Sequence, residues 1–339
     1  MKKFVLSVAT AVVALSGAAS AADLKVKAVK APPPPVVSPW DIAFGAALMN
    51  DYVFRGITQS NHKPSVAAYF EGRYNWSDSL QSYVGVAGES ISFANRAAAE
   101  IDVYGGIRPT FGPLAFDFGV WGYLYPGGTC YYGALTDTAG VPLSTECQVN
   151  VLTNFNVIKK DVSFYEGYGK VVWTINPMWA LGLNEYYSPN FLNTGAWGNY
   201  TSGTVKFTAP DGSLPNGIGF YASGEFGRQW LGTSDSFYGV VPTALVPNVP
   251  ASYAFGIPYK SYNTWNVGIG FTYKVFTLDL RYSDTDLNKG DCNAFTSDFT
   301  STIGAGGATL INPSGLASNW CDARFIAKLS VDTALSALK

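Results

Sequence analysis

The chain has 339 residues, 36 of them glycine, with charged side chains at 14%, aromatics at 15% and a formal net charge of −2. Ordinary soluble domains carry roughly 25% charged residues, so this composition excludes a conventional water-dispersed surface. The mild acidity excludes the basic footprint of a nucleic-acid binder, and after residue 21 no run of 18 apolar residues offers a transmembrane helix.

Lys2 and Lys3 precede an apolar run from Phe4 to Leu15, and small residues follow up to Ala19-Ser20-Ala21. A positive start, a short apolar stretch and an A-x-A site predict a secretory signal peptide over 1–21, cleaved after Ala21. The apolar run is too short for a bilayer core that needs about 20 residues. Losing Lys2 and Lys3 takes the formal charge from −2 to −4. Residues 22–39 hold three lysines and the run Pro32-Pro33-Pro34-Pro35. Proline at that density favours an extended tether, here a periplasmic leader to the domain at 40–339.

From Trp40 onward the side chains alternate with a period of two, the signature of strands with two unlike faces. Trp265, Val267, Ile269, Phe271 and Tyr273 fall on one face; Asn266, Gly268, Gly270, Thr272 and Lys274 fall on the other. Ile101, Val103 and Ile107 oppose Asp102, Tyr104 and Arg108 in the same way. Continued along the chain, this pattern predicts about twelve strands, near 41–54, 64–76, 80–93, 100–111, 114–126, 163–175, 178–189, 198–209, 217–231, 261–275, 276–288 and 321–335. Most exceed the 9–11 or so residues that a tilted strand needs to cross a bilayer. Short links (SDSL, FGPL, NPM, the Asp211-Gly212 region, Val275-Phe276) alternate with long ones at 127–162, 232–260 and 289–320. That alternation predicts an all-β, antiparallel, up-and-down transmembrane barrel with periplasmic turns and long outer loops. Trp40, Trp76, Phe111, Trp173, Trp179, Phe207, Phe220, Tyr273 and Phe276 gather at the turn ends, where rings favour the headgroup level.

Cys130, Cys147, Cys292 and Cys321 make an even count in an exported chain. Disulfides are expected, and sequence order favours Cys130 with Cys147 and Cys292 with Cys321. No C-x2-C spacing supports a metal site instead. Alternation sends six acids inward (Glu71, Asp102, Asp117, Glu166, Glu225, Asp279) and seven bases (Arg73, Arg108, Lys170, Lys206, Lys274, Arg281, Lys328). Facing rows of opposite charge would orient polar solutes in a pore; paired off, they would plug it. Twelve strands lie between filled barrels of about eight and water-filled ones of about 16–18.

The stretch MNDYVFRGITQSNHKPSV (49–66) resembles the N-terminal pattern of the TorF family of putative porins of proteobacteria, with Asn50 where Ser is commoner. EIDVYGG (100–106), LDLRYSDTDL (278–287) and CDARF (321–325) are similar to further blocks of that family. The pre-barrel segment resembles leaders of rhizobial outer-membrane proteins. The resemblance implies an outer-membrane channel delivered by the barrel-assembly machinery. One departure is the C-terminus: such barrels usually end in an aromatic, and this chain ends in Leu338-Lys339.

The catalytic inventory is poor. The one histidine, His62, sits between Asn61 and Lys63 in the first outer loop, where a solvated residue is expected rather than the base of a Ser/His pair. In SDTDLNKGD, Asp284, Asp286, Asn288 and Asp291 hint at calcium, but an EF-hand loop from Asp284 would need Gly at 289 and Glu at 295, and Lys289 and Phe295 stand there. No cofactor motif is present. The expectation is a non-enzymatic channel in the outer membrane of a Gram-negative bacterium, with lipid outside and small hydrophilic solutes within. The alternative is a non-conducting barrel with surface-binding loops, and an outer-membrane enzyme comes last.

Overall fold

A computed structural model describes residues 39–132, 147, 150–240 and 249–338. The segments read as signal peptide and leader lie, apart from Pro39, outside the described residues. In chain order the strands are β1 (Trp40–Met49), β2 (Val53–Phe54), β3 (Ile57–Thr58), β4 (Ser65–Ser77), β5 (Leu80–Glu89), β6 (Glu100–Phe111), β7 (Leu114–Leu124) and β8 (Phe164–Thr174). They continue with β9 (Trp179–Ser188), β10 (Gly198–Thr208), β11 (Gly219–Leu231), β12 (Tyr262–Tyr273), β13 (Phe276–Thr285), β14 (Thr302–Ile303), β15 (Leu316–Ala317) and β16 (Arg324–Ala334). One α-helix, α1 (Lys289–Thr296), lies in the last loop.

Twelve of these strands form the wall of a closed antiparallel barrel: β1, β4 to β13, and β16. Each pairs with its chain neighbours, and β16 returns to β1 with Ala43 opposite Ala334 and Met49 opposite Lys328. Closure leaves no sheet edge with unpaired backbone groups, the condition for strands in lipid. The predicted strands coincide with the wall strands within a few residues, with one correction. The first was expected to run to residue 54, but it ends at Met49, and the chain then turns into the β2–β3 hairpin.

The outward face is apolar because alternation puts Val66, Phe70, Val84, Val86, Phe118, Val120, Leu181 and Leu183 there, all exposed. Every short connection lies at one end: residues 78–79, 112–113, 175–178, 209–218 and 274–275. Around that rim Trp40, Trp76, Phe111, Trp173, Trp179, Tyr273 and Phe276 face outward and exposed. Inside the wall, aromatic rings lie flat against glycines: a Cβ on Gly85 would collide with the ring of Tyr104 on the next strand.

At the other end the long connections pack on each other. Among the described residues, Phe93, Leu152, Ile158, Phe191, Tyr238, Phe295 and Trp320 are buried in one apolar cluster drawn from several of these connections. The disulfides Cys130–Cys147 and Cys292–Cys321 lie at this end, the second joining α1 to the segment before β16.

Candidate functional site

The enclosed interior holds most of the wall's charged groups, while Glu185, Arg228 and Asp284 share the outward parity near the loop end. Glu71 and Arg73 on β4, Asp102 and Arg108 on β6, Asp117 on β7, and Glu166 and Lys170 on β8 are all buried on the inward face. Lys206, Glu225, Asp279, Arg281 and Lys328 share that parity on β10, β11, β13 and β16. Lys274 does not. It stands outside β12 in the two-residue turn before Phe276, exposed and at φ 54°, with its ammonium over the Tyr273 ring. Alternation fails there because the tight turn, not the pleat, sets the side-chain direction.

Many of the inward charges are tied into networks rather than left as free rows, whereas Asp102 Oδ1 accepts no hydrogen bond. Arg108 bridges two carboxylates: Nη1 and Nη2 donate to Glu71 at 2.7 and 3.0 Å, and Nε donates to Asp117 at 3.3 Å. Arg73 Nε donates to the same Glu71 at 2.6 Å. The Tyr83 hydroxyl donates to Asp117 at 2.5 Å and meets the Tyr168 hydroxyl, while its ring lies under the Arg108 guanidinium. Across the lumen Arg281 donates to Asp279, Asn266 and Ser223, and Tyr221 donates to Asp279 at 2.6 Å. Charge-assisted bonds of this kind satisfy groups that an apolar interior could not hold alone.

The residue that organises the lumen was not among the predicted site residues. The β2–β3 hairpin folds into the barrel, and Arg55 at its tip has φ 48°. Its guanidinium donates to Glu166 at 2.6 and 2.9 Å and to Gln229 at 2.9 Å. The rings of Phe54, Tyr186, Phe191 and Tyr200 surround it. Gly56, at φ 81°, seats against Thr264 and Thr285, where a Cβ would collide. The only sequence signal was the FRG step, an arginine and a glycine inside an apolar stretch.

Two cavities of about 430 Å³ each flank this hairpin. One is bounded by β1, β4, β13 and β16 and includes Asp51, Glu89, Asp279 and Lys328. The other is bounded mainly by β8 to β13 and includes Arg55, Lys170, Glu225 and Asn266. Arg281 and Val53 border both.

His62 lies at the hairpin's return. Its Nδ1 is 3.1 Å from Asp51 Oδ2 and 3.0 Å from Arg324 Nη1, and its Nε2 is 3.2 Å from Asn319 Oδ1. It is therefore tied into a polar knot with its ring 36% exposed, more constrained than a solvated loop residue. Burial pushes the Asp51 carboxyl up, but bonds from His62, Thr58 and Ser60 and the Arg324 charge outweigh that and hold it below the usual carboxylate range. The acids of SDTDLNKGD do not converge: Asp286 binds Asn263, while Asn288 caps α1 by accepting from the Asp291 amide.

Residues 35–139 match the family described as "Bacterial protein of unknown function (Gcw_chp)". No curated protein matches the chain. Among solved structures, the COG4313 outer membrane channel from Pseudomonas putida F1 is similar at 10% identity and a TM-score of 0.40, over 90% of this chain and 100% of that one. LpxR from Salmonella typhimurium is similar at 10% identity and a TM-score of 0.37, over 86% and 99%. OmpT, an outer membrane protein of Vibrio cholerae, is similar at 10% identity and a TM-score of 0.34, over 88% and 99%. Similarity at this level carries no statement about activity.

Proposed function

We propose that the protein is an outer-membrane barrel of a Gram-negative bacterium, exported with its signal peptide cleaved after Ala21, that passes small hydrophilic solutes by passive diffusion. The observation that carries this reading is the pair of cavities, about 430 Å³ each and both bordered by charged side chains, inside a wall whose outer face is apolar. A barrel serving only as a rigid anchor would gain by filling that space with packed side chains, as small barrels do. The Arg55 hairpin then acts as the constriction, and the mixed charges beside it orient polar solutes and reject apolar ones. The resemblance of 49–66, 100–106 and 278–287 to TorF-type porins supports the same reading, as does the outward aromatic rim, which fits a lipid headgroup layer. Insertion would rest on the barrel-assembly machinery.

A second reading is a non-conducting barrel that binds a surface partner, favoured by the buried apolar cluster of the outer connections. An enzymatic role has less support, because the His62 ring nitrogens face Asp51, Arg324 and Asn319 and, among the described residues, no hydroxyl or thiol. Planar-bilayer recording of the refolded chain separates the readings. Discrete steps with a reversal potential in a salt gradient support the channel, and their absence from pure protein leaves the surface-binding barrel.

A further inference from the structure

We propose that Glu89, Glu100 and Asp102 form a binding site for one hard divalent cation, Ca²⁺ or Mg²⁺, at the loop end of the lumen wall. Glu89 closes β5 and Glu100 opens β6, and the register sets the two directly opposite. Asp102, two residues on, shares their inward face. One carboxylate oxygen from each lies within 4.8 Å of the others. Like charges placed opposite across a strand pair repel, and carboxylates removed from water need a counter-charge. Among the described residues no lysine, arginine or histidine forms an ion pair with any of the three.

A second observation points to a ligand. Asp102 is only 4% exposed, and its Oδ1 accepts no hydrogen bond; Glu89 Oε2 is likewise buried and unpartnered. The Trp121 indole N–H beside Asp102 is also unpartnered, and as a neutral donor it could satisfy a lone pair without offsetting the charge. Glu100 is differently placed: Tyr52 donates to its Oε1 at 2.6 Å and Tyr125 to its Oε2 at 2.9 Å. Those two hydroxyls fix the orientation of one ligand and leave the other two open, the arrangement in which outer-shell bonds aim a metal-binding carboxylate.

An all-oxygen, all-anionic donor set selects Ca²⁺ or Mg²⁺ over the thiolate- and imidazole-seeking metals. Three carboxylates do not complete either ion's shell, and water must supply the rest. Glu89 borders the cavity beside β1 and β16, which provides that water and an entry path. Spacing alone conceals the site, because its ligands meet only when β5 and β6 pair across residues 90–99.

The test uses the EDTA-treated mature chain in detergent, titrated with Ca²⁺ and separately with Mn²⁺ read by electron paramagnetic resonance. The wild type is expected to bind one ion saturably. Asp102→Asn and Glu89→Gln should weaken it at least roughly tenfold, since even loss of an outer-shell partner brings a change of that order. Ca²⁺ should raise the unfolding midpoint of the wild type and leave Asp102→Asn unmoved. Asp286→Asn, a control for surface acids, should bind as the wild type does. Affinity unchanged in both Asp102→Asn and Glu89→Gln overturns the proposal, as does a wild type that binds no ion. In the latter case an infrared band of a protonated carboxyl, lost in Asp102→Asn, would identify a shared proton as the neutralising species. Glu89→Gln, at the half-buried edge of the trio, keeps the test alive if Asp102→Asn does not fold.

Discussion

Arg55 and Glu166 meet inside the barrel, 111 residues apart in sequence, with guanidinium Nη2 2.6 Å from Oε2 and side chains 5% and 0% exposed. One comes from a hairpin inserted after the first wall strand and the other from β8 on the wall. The pair therefore locks the inserted segment to the barrel.

Arg55→Ala strips a fully buried carboxylate of its partner. Breaking such a pair costs about 3–5 kcal/mol where the remaining charge stays buried. The variant should unfold at lower temperature, by heat-modifiability on gels, and show larger single-channel steps than the wild type. Arg55→Ala combined with Glu166→Gln should recover part of the stability, because no unpaired charge remains. Steps equal to the wild type's would place the hairpin outside the ion path.

Gly56→Ala tests the same insertion without touching charge. At φ 81° an L side chain is strained, and its Cβ would press on Thr264 and Thr285. A cost of about 1–3 kcal/mol is expected from the backbone alone. Protease cleavage in the hairpin should rise in this variant, and an unaltered digestion pattern would show that the seat tolerates a Cβ.

Acid should loosen the knot at Asp51. Its carboxyl is held below the usual range by His62, Thr58, Ser60 and Arg324 against the upward push of burial. A depressed folded-state pKa gives stability that is present above the unfolded value, about 3.9, and is lost as pH falls through the folded one. The wild type should thus lose more stability than Asp51→Asn when the pH drops below about 4. The difference between the two acid-unfolding curves is the readout; parallel curves would remove Asp51 from the account.

Reduction of Cys292–Cys321 opens a connection with a sequence separation of 29. The chain-entropy relation gives about 3.5 kcal/mol for a loop of this size. Cys292→Ala with Cys321→Ala should lower the unfolding midpoint and expose α1 to protease, while β-sheet circular dichroism persists below that midpoint. Loss of the barrel itself would mean that the bridge is needed for assembly.

The wall was legible because a membrane-facing strand has only one degree of freedom to hide. Trp265, Val267, Ile269, Phe271 and Tyr273 announce their face by parity, and lipid tolerates no polar substitute along most of that stripe. The same parity brought twelve inward charges to light. It also marked Glu89 and Glu100, which share parity with Tyr83 and Asp102, yet were passed over at the strand ends. Lys274 shows the limit of the rule at a turn, where φ 54° redirects the side chain.

Sequence by itself determined the twelve-strand wall, its apolar outside and which end carries the long connections, since these follow from local alternation and loop length. Only the tertiary structure decided that the chain after Met49 turns inward, that Arg55 finds Glu166, and that three acids converge without an ion pair to any base among the described residues. The physical reason is that period-two patterning encodes a direction, in or out, but not a partner. Which inward groups meet depends on strand register, barrel curvature and the path of an inserted hairpin, and these are fixed only when the ring of strands closes.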